Sequence, residues 1–166
     1  MKIIILQNIF KFEKTKSINT SEYQIKTITS TKTYTVRHSV LRTGKPIETC
    51  IFDGDNLETT IHLGLFIEYK LVGICSFFKN SNPNISEANQ YQLRGMAILK
   101  PFQGKGLGNV ILKQGENLLK EKKVKTLWCN AREVAINFYK KNNYQVTGNA
   151  FNIKNIGIHY TMLKTL

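Results

Sequence analysis

Apolar positions along the chain change period several times, and each change marks an element. Tyr23, Ile25 and Ile28 predict a first strand over 22–29. Ser30 then stands where a helix cap is expected, and Tyr34, Val36, Val40 and Leu41 would line the buried side of a helix over 30–41. Arg42-Thr43-Gly44-Lys45-Pro46 is turn chemistry. Two strand-like runs, 61–69 and 71–78, meet tightly around Glu68-Tyr69-Lys70 and read as an antiparallel hairpin. Asn80 to Asn89 is polar, contains Pro83 and is expected to be an exposed loop. From Tyr91 to Leu99 the period is two with apolar residues on both faces, as in a strand covered on both sides, and Pro101 ends it.

After a glycine-rich turn, Leu107, Ile111, Leu118 and Leu119 recur at helical spacing and predict a helix to about Lys120. Lys120, Lys122 and Lys123 carry the charge that favours a helix C-terminus. Val124 to Cys129 is a compact apolar strand, so strand, helix and strand form a right-handed parallel crossover. Asn130-Ala131-Arg132-Glu133 has the form of a capping box for a helix that buries Val134, Ala135 and Phe138. Asn143 is expected in the left-handed position that closes this helix. Strands over 144–146 and 156–163 complete the pattern. The predicted class is α/β (α+β): a mixed, mostly antiparallel sheet with helices on both faces and one parallel β-α-β crossover. One domain spans 22–166, and residues 1–21, which fit no pattern, form an N-terminal appendage.

Composition narrows this picture in two ways. With 166 residues, 42% hydrophobic and 21% charged, the chain is long enough and apolar enough for one proper core. Its net charge of +13 admits an anionic small ligand, a nucleic acid or a drift toward Lys, Ile and Asn. The lysines are spread along the chain, with no arginine-dense or aromatic-interleaved tract, so a nucleic-acid partner is not expected. Cys50, Cys75 and Cys129 form no CxxC pair, which suits reduced thiols in a cytoplasmic protein. The start, MKIIILQNIFKFEK, has no small-residue cleavage site, and no run approaches transmembrane length, so no membrane partner is expected. Asp53-Gly54-Asp55 with Glu58 lacks a further ligand pattern and reads as a polar turn, leaving no metal site. His38 and His62 read as structural histidines.

The candidate chemistry lies in Gln103-Gly104-Lys105-Gly106-Leu107-Gly108. No Ser, Thr, Asp or Asn stands where the next helix needs a cap, and the first acidic residue is Glu116. Orphan N–H groups at a helix start seek an acceptor, glycines let it approach closely, and the helix dipole with Lys105 favours an anion such as a phosphate. A P-loop would need a Lys-Ser/Thr pair that is missing. A dinucleotide fingerprint would need glycine at position 109, which is Asn. A third pattern, Q-x-x-G-x-G, is met by Gln103, Gly106 and Gly108.

With that pattern the chain resembles the GNAT superfamily of acyl-coenzyme A-dependent N-acyltransferases, in its small ElaA-like and YjcF-like branch. The resemblance runs from about residue 22 to the end. It rests on Val36 to Arg42, the hairpin from His62 to Phe77, Tyr91 to Ala97, Gln103 to Gly108, Asn130-Ala131-Arg132, Phe138-Tyr139 and Gly157-Ile158-His159. It implies a GNAT-like fold and transfer of an acetyl group from acetyl-CoA, as donor substrate, to a primary amine by direct attack. In the family the turn N–H groups, here Gln103, Gly104, Lys105, Gly106, Leu107 and Gly108, bind the pyrophosphate. A bulged strand, here Met96, Ala97 and Ile98, pairs with the pantetheine arm. Tyr139 matches the tyrosine that protonates the departing thiolate. His159 matches a branch pattern without its proline and is the candidate base, with His62 and Glu87 as further candidates.

The family's Asn-x-x-Ala reads Arg132-Glu133-Val134-Ala135 here. Asn130 is the nearer asparagine and is carried as a cofactor contact beside its reading as a cap. The usual Gly-Phe after the helix is Asn143-Tyr144. The acceptor stays open among polyamine, amino acid, aminoglycoside and protein amine, and a homodimer is a possible assembly. The alternative function is a non-catalytic acyl-CoA-binding or regulatory module on the same fold.

Overall fold

A computed structural model describes residues 23–166. The N-terminal appendage expected over 1–21 lies outside the described residues. Seven strands form one sheet: β1 (Gln24–Thr27), β2 (Ile61–Ile67), β3 (Lys70–Phe78), β4 (Gln90–Ile98), β5 (Thr126–Arg132), β6 (Gln145–Ile153) and β7 (Gly157–Thr165). Their spatial order is β1-β2-β3-β4-β5-β7-β6. Every neighbouring pair is antiparallel except β4 and β5, which are parallel. That is the mixed, mostly antiparallel sheet with one crossover that the hydrophobic periods predict.

Helix α2 (Leu107–Glu121) makes the crossover and packs on one face, burying Leu107, Ile111, Leu112, Gly115 and Leu119. Gly115 answers a need that propensity opposes: a β-carbon there would collide with the Phe77 ring of β3. Helix α3 (Ile136–Lys141) joins the same core through Phe138 and Tyr139. The opposite face carries helix α1 (Ser30–Val36), which continues as a π-helical turn over Arg37–Leu41 and packs Val36 against Ile74 and Ala97. Alternation along the two central strands assigns their side chains. Tyr91 and Leu93 of β4, and Leu127, Cys129 and Ala131 of β5, enter the α2 core. Gln92, Arg94, Trp128, Asn130 and Arg132 therefore face the α1 side.

Several local expectations are corrected. Ser30 is not the cap of α1: Thr29 holds that position without a side-chain bond, and the Ser30 hydroxyl donates to Asn56 Oδ1 at 2.6 Å. Asn130-Ala131-Arg132 is not a capping box, because pairing with β7 keeps it in strand through Arg132. A 3-10 turn over Glu133–Ala135 follows, and Val134 is 91% exposed rather than buried. The last hairpin is longer than expected. β6 continues through the segment assigned to a loop as far as Ile153, accommodating Gly148 (φ 70°) in a bulge. Asn143 does take the left-handed conformation (φ 67°). All three cysteines are buried free thiols. Among the described residues, no helix is long and apolar enough to cross a membrane.

Candidate active site

The parallel pair is short. β4 and β5 register only from Gln90–Thr126 to Leu93–Cys129, after which β4 stays with β3 and β5 stays with β7. A cleft of about 1220 Å³ opens where they part and reaches both faces of the sheet. On β4, Gly95 and Met96 together stand opposite Cys75, a bulge made possible by the positive φ of Gly95 (63°). The distortion is where the bulged strand was expected, one residue earlier. A β-carbon on Gly95 would also meet Phe52 Cε2 at 2.9 Å and Arg37 Nε at 3.1 Å, so glycine is required twice over.

The bulge decides which backbone groups the cleft sees. Leu99 N–H donates to Val72 O of β3 at 2.8 Å, so by alternation the Ile98 N–H points away from β3 and into the gap. The Ile98 carbonyl, aimed the same way, accepts from Gln103 Nε2 at 2.8 Å. Gln103 thus braces the glycine turn against the end of β4. Gly104 (φ 74°) and Gly106 (φ 79°) then turn the chain into α2, with open space where their β-carbons would be. Gly106 caps the helix with no side-chain bond and no acidic residue in the first turn. Among the described residues, no acceptor meets the backbone N–H groups of Gly104, Lys105 or Gly106. Donors without acceptors beside open space fit an anionic group of extended size.

Met96, Ala97, Ile98, Gln103, Gly104, Gly106, Leu107, Gly108, Asn130, Tyr139 and His159 all line this one cleft. Lys105 does not. Its side chain is exposed, with Nζ 5.5 Å from the centre of the Phe102 ring. Tyr139 is 7% exposed, edge-on to Phe138 and Tyr144, and its hydroxyl approaches Met96 Sδ at 3.9 Å. Burial above all, with Cys129 and Cys75 beside it, pushes the phenol well above its usual range, so it holds its proton. His159, paired with Arg132 across β5 and β7, lies on the other side of the sheet from Tyr139. Its Nδ1 lies 2.8 Å from Gly157 O. A carbonyl only accepts, so in the neutral ring Nδ1 carries the hydrogen and Nε2 keeps its lone pair. Asn130 Oδ1 accepts from Thr161 Oγ1 at 3.1 Å. Glu87 sits in the loop before β4 and is not part of the cleft lining.

His62 belongs to a buried network beneath the cleft. Arg37, 0% exposed, pairs with Asp55 through both guanidinium nitrogens at 2.7 and 2.9 Å, and donates to Cys50 O and Ser76 Oγ. His62 donates from Nε2 to Asp55 O at 2.8 Å and accepts the Ser76 hydroxyl at Nδ1 at 2.8 Å. The 53–56 segment is a turn, as expected, and Asp55 within it is also the anchor of a buried ion pair. It ties the 47–60 segment to the sheet under Gly95. Among the described residues, no group of three His, Cys, Asp or Glu side chains is placed to hold a metal ion.

The cleft also contains residues that the periodicity did not single out. These are Arg42, Phe52, Asn80, Gln92, Arg94, Trp128 and Arg132. A signal for some of them exists. Gln92 and Arg94 on one strand, and Asn130 and Arg132 on the next, are polar at alternate positions around the point where the parallel pairing ends.

A mixed sheet opened at its one parallel pair, with an anion cradle at the mouth, is the architecture of N-acyltransferases. Comparisons with known proteins agree. The family model for the acetyltransferase (GNAT) family matches residues 13–144. The uncharacterised N-acetyltransferase YitI of Bacillus subtilis (strain 168) is 39% identical over 143 residues, covering 86% of this chain and 96% of YitI. Among solved structures, Escherichia coli ElaA superposes with a TM-score of 0.71 at 12% identity, covering 86% of this chain and 99% of ElaA. A GNAT family acetyltransferase from Elizabethkingia anophelis, solved with acetyl-CoA bound, superposes at 0.63 with 13% identity, covering 87% of this chain and 99% of that one. The chain belongs to the GNAT acetyltransferase family.

Proposed function

We propose that this protein transfers an acetyl group from acetyl-CoA to a primary amine by direct attack, in the cytoplasm. The observation that carries this reading is the row of unpaired N–H groups from Gly104 to Gly106, continuous with a cleft that passes between β4 and β5 beside Tyr139. The Elizabethkingia relative, solved with acetyl-CoA bound, supports the choice of donor. In this reading the N–H groups of Gly104 to Gly108, with the positive end of α2, hold the pyrophosphate, and Lys105 adds charge at the rim. The outward edge of β4 at Met96 to Ile98, which β5 leaves unpaired, takes the pantetheine arm as a further strand. Asn130 borders the same gap.

The proton inventory closes on this chain's side chains. The acceptor nitrogen must be neutral to attack the thioester carbon. His159 Nε2 takes the proton that nitrogen loses as the C–N bond forms, directly or through a water. The Ile98 N–H faces the carbonyl oxygen as it gains charge. As the C–S bond breaks, Tyr139 gives its proton to the departing sulfur, a role for which its elevated pKa keeps it protonated throughout the working range. Titration calorimetry with acetyl-CoA tests the donor assignment: binding in the micromolar range is expected, and no heat at high micromolar concentration overturns it. Binding without acetylation of any amine would move the protein to a non-catalytic, acyl-CoA-sensing role.

A further inference from the structure

The α1-side mouth of the cleft contains three arginines from three separate segments: Arg42 after the π-helical turn, Arg94 of β4 and Arg132 of β5. Arg42 Nη1 and Arg132 Nη2 donate to the same carbonyl oxygen, that of Leu41, at 3.0 and 3.2 Å. Two like charges are therefore held side by side. Arg94 donates to Asp53 O at 3.3 Å. Phe52 organises the group as a shared platform, its ring centre lying 4.8 Å from the Arg94 guanidinium and 5.5 Å from that of Arg42. Among the described residues, no Asp or Glu lines the cleft. Among the described residues, the carboxylates in ion pairs are Asp55 and Glu116, committed to Arg37 and Lys164. The neutral polar groups nearby are satisfied by one another: Asn80 Nδ2 donates to Gln92 Oε1, and Trp128 Nε1 donates to Asn80 O, each at 2.9 Å.

Resting on the acyltransferase reading above, we propose that the acceptor is an amine that also carries a carboxylate, of amino-acid or short-peptide size, with the carboxylate held by Arg42, Arg94 and Arg132. Guanidinium forks match carboxylates in geometry as well as charge. The arginines lie on the sheet face opposite the α2 core, so they do not belong to the phosphate cradle, and they border His159, where the amine must lose its proton. A polycationic acceptor would meet the paired charges of Arg42 and Arg132, with Arg94, whose charge the Asp55 and Asp53 carboxylates partly offset, beside them. Burial, and then the neighbouring Arg132 charge, lowers the pKa of Arg42.

The test follows thiol release from acetyl-CoA with free amino acids and dipeptides, their carboxamides, spermidine and kanamycin. Removing the carboxylate charge makes an amine easier to deprotonate, so intrinsic reactivity favours the carboxamides. The expected result is the reverse, with kcat/KM for the acids about 10- to 100-fold above their carboxamides. Arg42→Gln and Arg132→Gln each raise the acceptor KM and narrow that ratio, with the acetyl-CoA Kd from calorimetry unchanged. Carboxamides, spermidine or kanamycin used as well as the acids would overturn the proposal, as would arginine variants that weaken acetyl-CoA instead. No turnover of any acid while acetyl-CoA binds also overturns it. Loss of acetyl-CoA binding in the wild-type protein is the separate failure of the acyltransferase reading.

Discussion

The two mouths of the cleft are built from different materials. On the α2 side, backbone N–H groups come from one continuous stretch, Gly95 to Gly108, with Tyr139 set among apolar neighbours and Asn109, Asn137 and Lys141 also in the lining. On the α1 side they are side chains, Arg42, Arg94, Arg132 and His159, brought together from four segments and supported by the Arg37–Asp55–His62–Ser76 network. A backbone cradle depends on φ angles and tolerates most side-chain changes. A side-chain mouth depends on what holds its segments in register. Substitutions should therefore divide cleanly between the two.

The largest effect is expected beneath the arginine mouth. Asp55→Ala leaves the Arg37 guanidinium buried without its carboxylate, and breaking such a pair costs about 3–5 kcal/mol. Urea unfolding measures it; a loss below about 1 kcal/mol would mean the network is ornamental. Next comes Tyr139→Phe, expected to lower kcat by ~10²-fold with acetyl-CoA affinity and stability little changed. Its hydroxyl meets weakly bonding sulfur partners, Met96 Sδ at 3.9 Å and the Cys129 thiol, so little structure is lost with it. Unchanged turnover would remove Tyr139 from the proton path. Smaller still is Gly106→Val. A β-carbon at Gly106 meets open space, so the penalty is the positive φ, roughly 1–2 kcal/mol, and a matching weakening of acetyl-CoA binding of about 10-fold is expected. An acceptor KM that moves while the acetyl-CoA Kd stays fixed would break the division between the mouths.

The same contrast explains what could be read in advance. The sheet, its crossover and the uncapped start of α2 were legible because each is written locally: period two in β4, period 3.6 in α2, and glycines where a cap should stand. Tyr139 and His159 enter as candidates only by resemblance, since nothing in their sequence neighbours distinguishes them from packed aromatics. The Arg132 end of β5 was misread because Asn130 to Glu133 satisfies a capping box locally, while pairing with β7 overrides it. β6 was cut short because its residues are mostly exposed at a sheet edge and show little alternation. The arginine mouth and the Asp55 anchor were hidden for a different reason. Arg37 and Asp55 are 18 residues apart, and their ion pair is specified by the third dimension alone.

The smallest expected effect concerns pH and tests whether the network is neutral at His62. Burial lowers the pKa of His62 below its ordinary 6.5, with the nearby Arg37 charge acting the same way, against the opposing pull of the Asp55 carbonyl and carboxylate. Above pH 6.5 the ring is neutral in both folded and unfolded chains and contributes no pH dependence. As pH falls through 6.5 the unfolded chain takes up its proton first, so stability declines, and it continues to decline until the folded ring also protonates. Neutral His62 thus makes the protein lose Tm on acidification from about 6.5 downward. His62→Gln removes that titration while keeping polar atoms near Ser76 and Asp55, and the slope of Tm against pH should flatten relative to wild type. Identical slopes would mean that folding leaves the His62 pKa unshifted, and a wild-type Tm that falls less on acidification than the variant's would mean that the folded ring is protonated. Its Nδ1 would then be a donor rather than the acceptor of the Ser76 hydroxyl, and the support of the arginine mouth would be a charged network instead of a neutral relay.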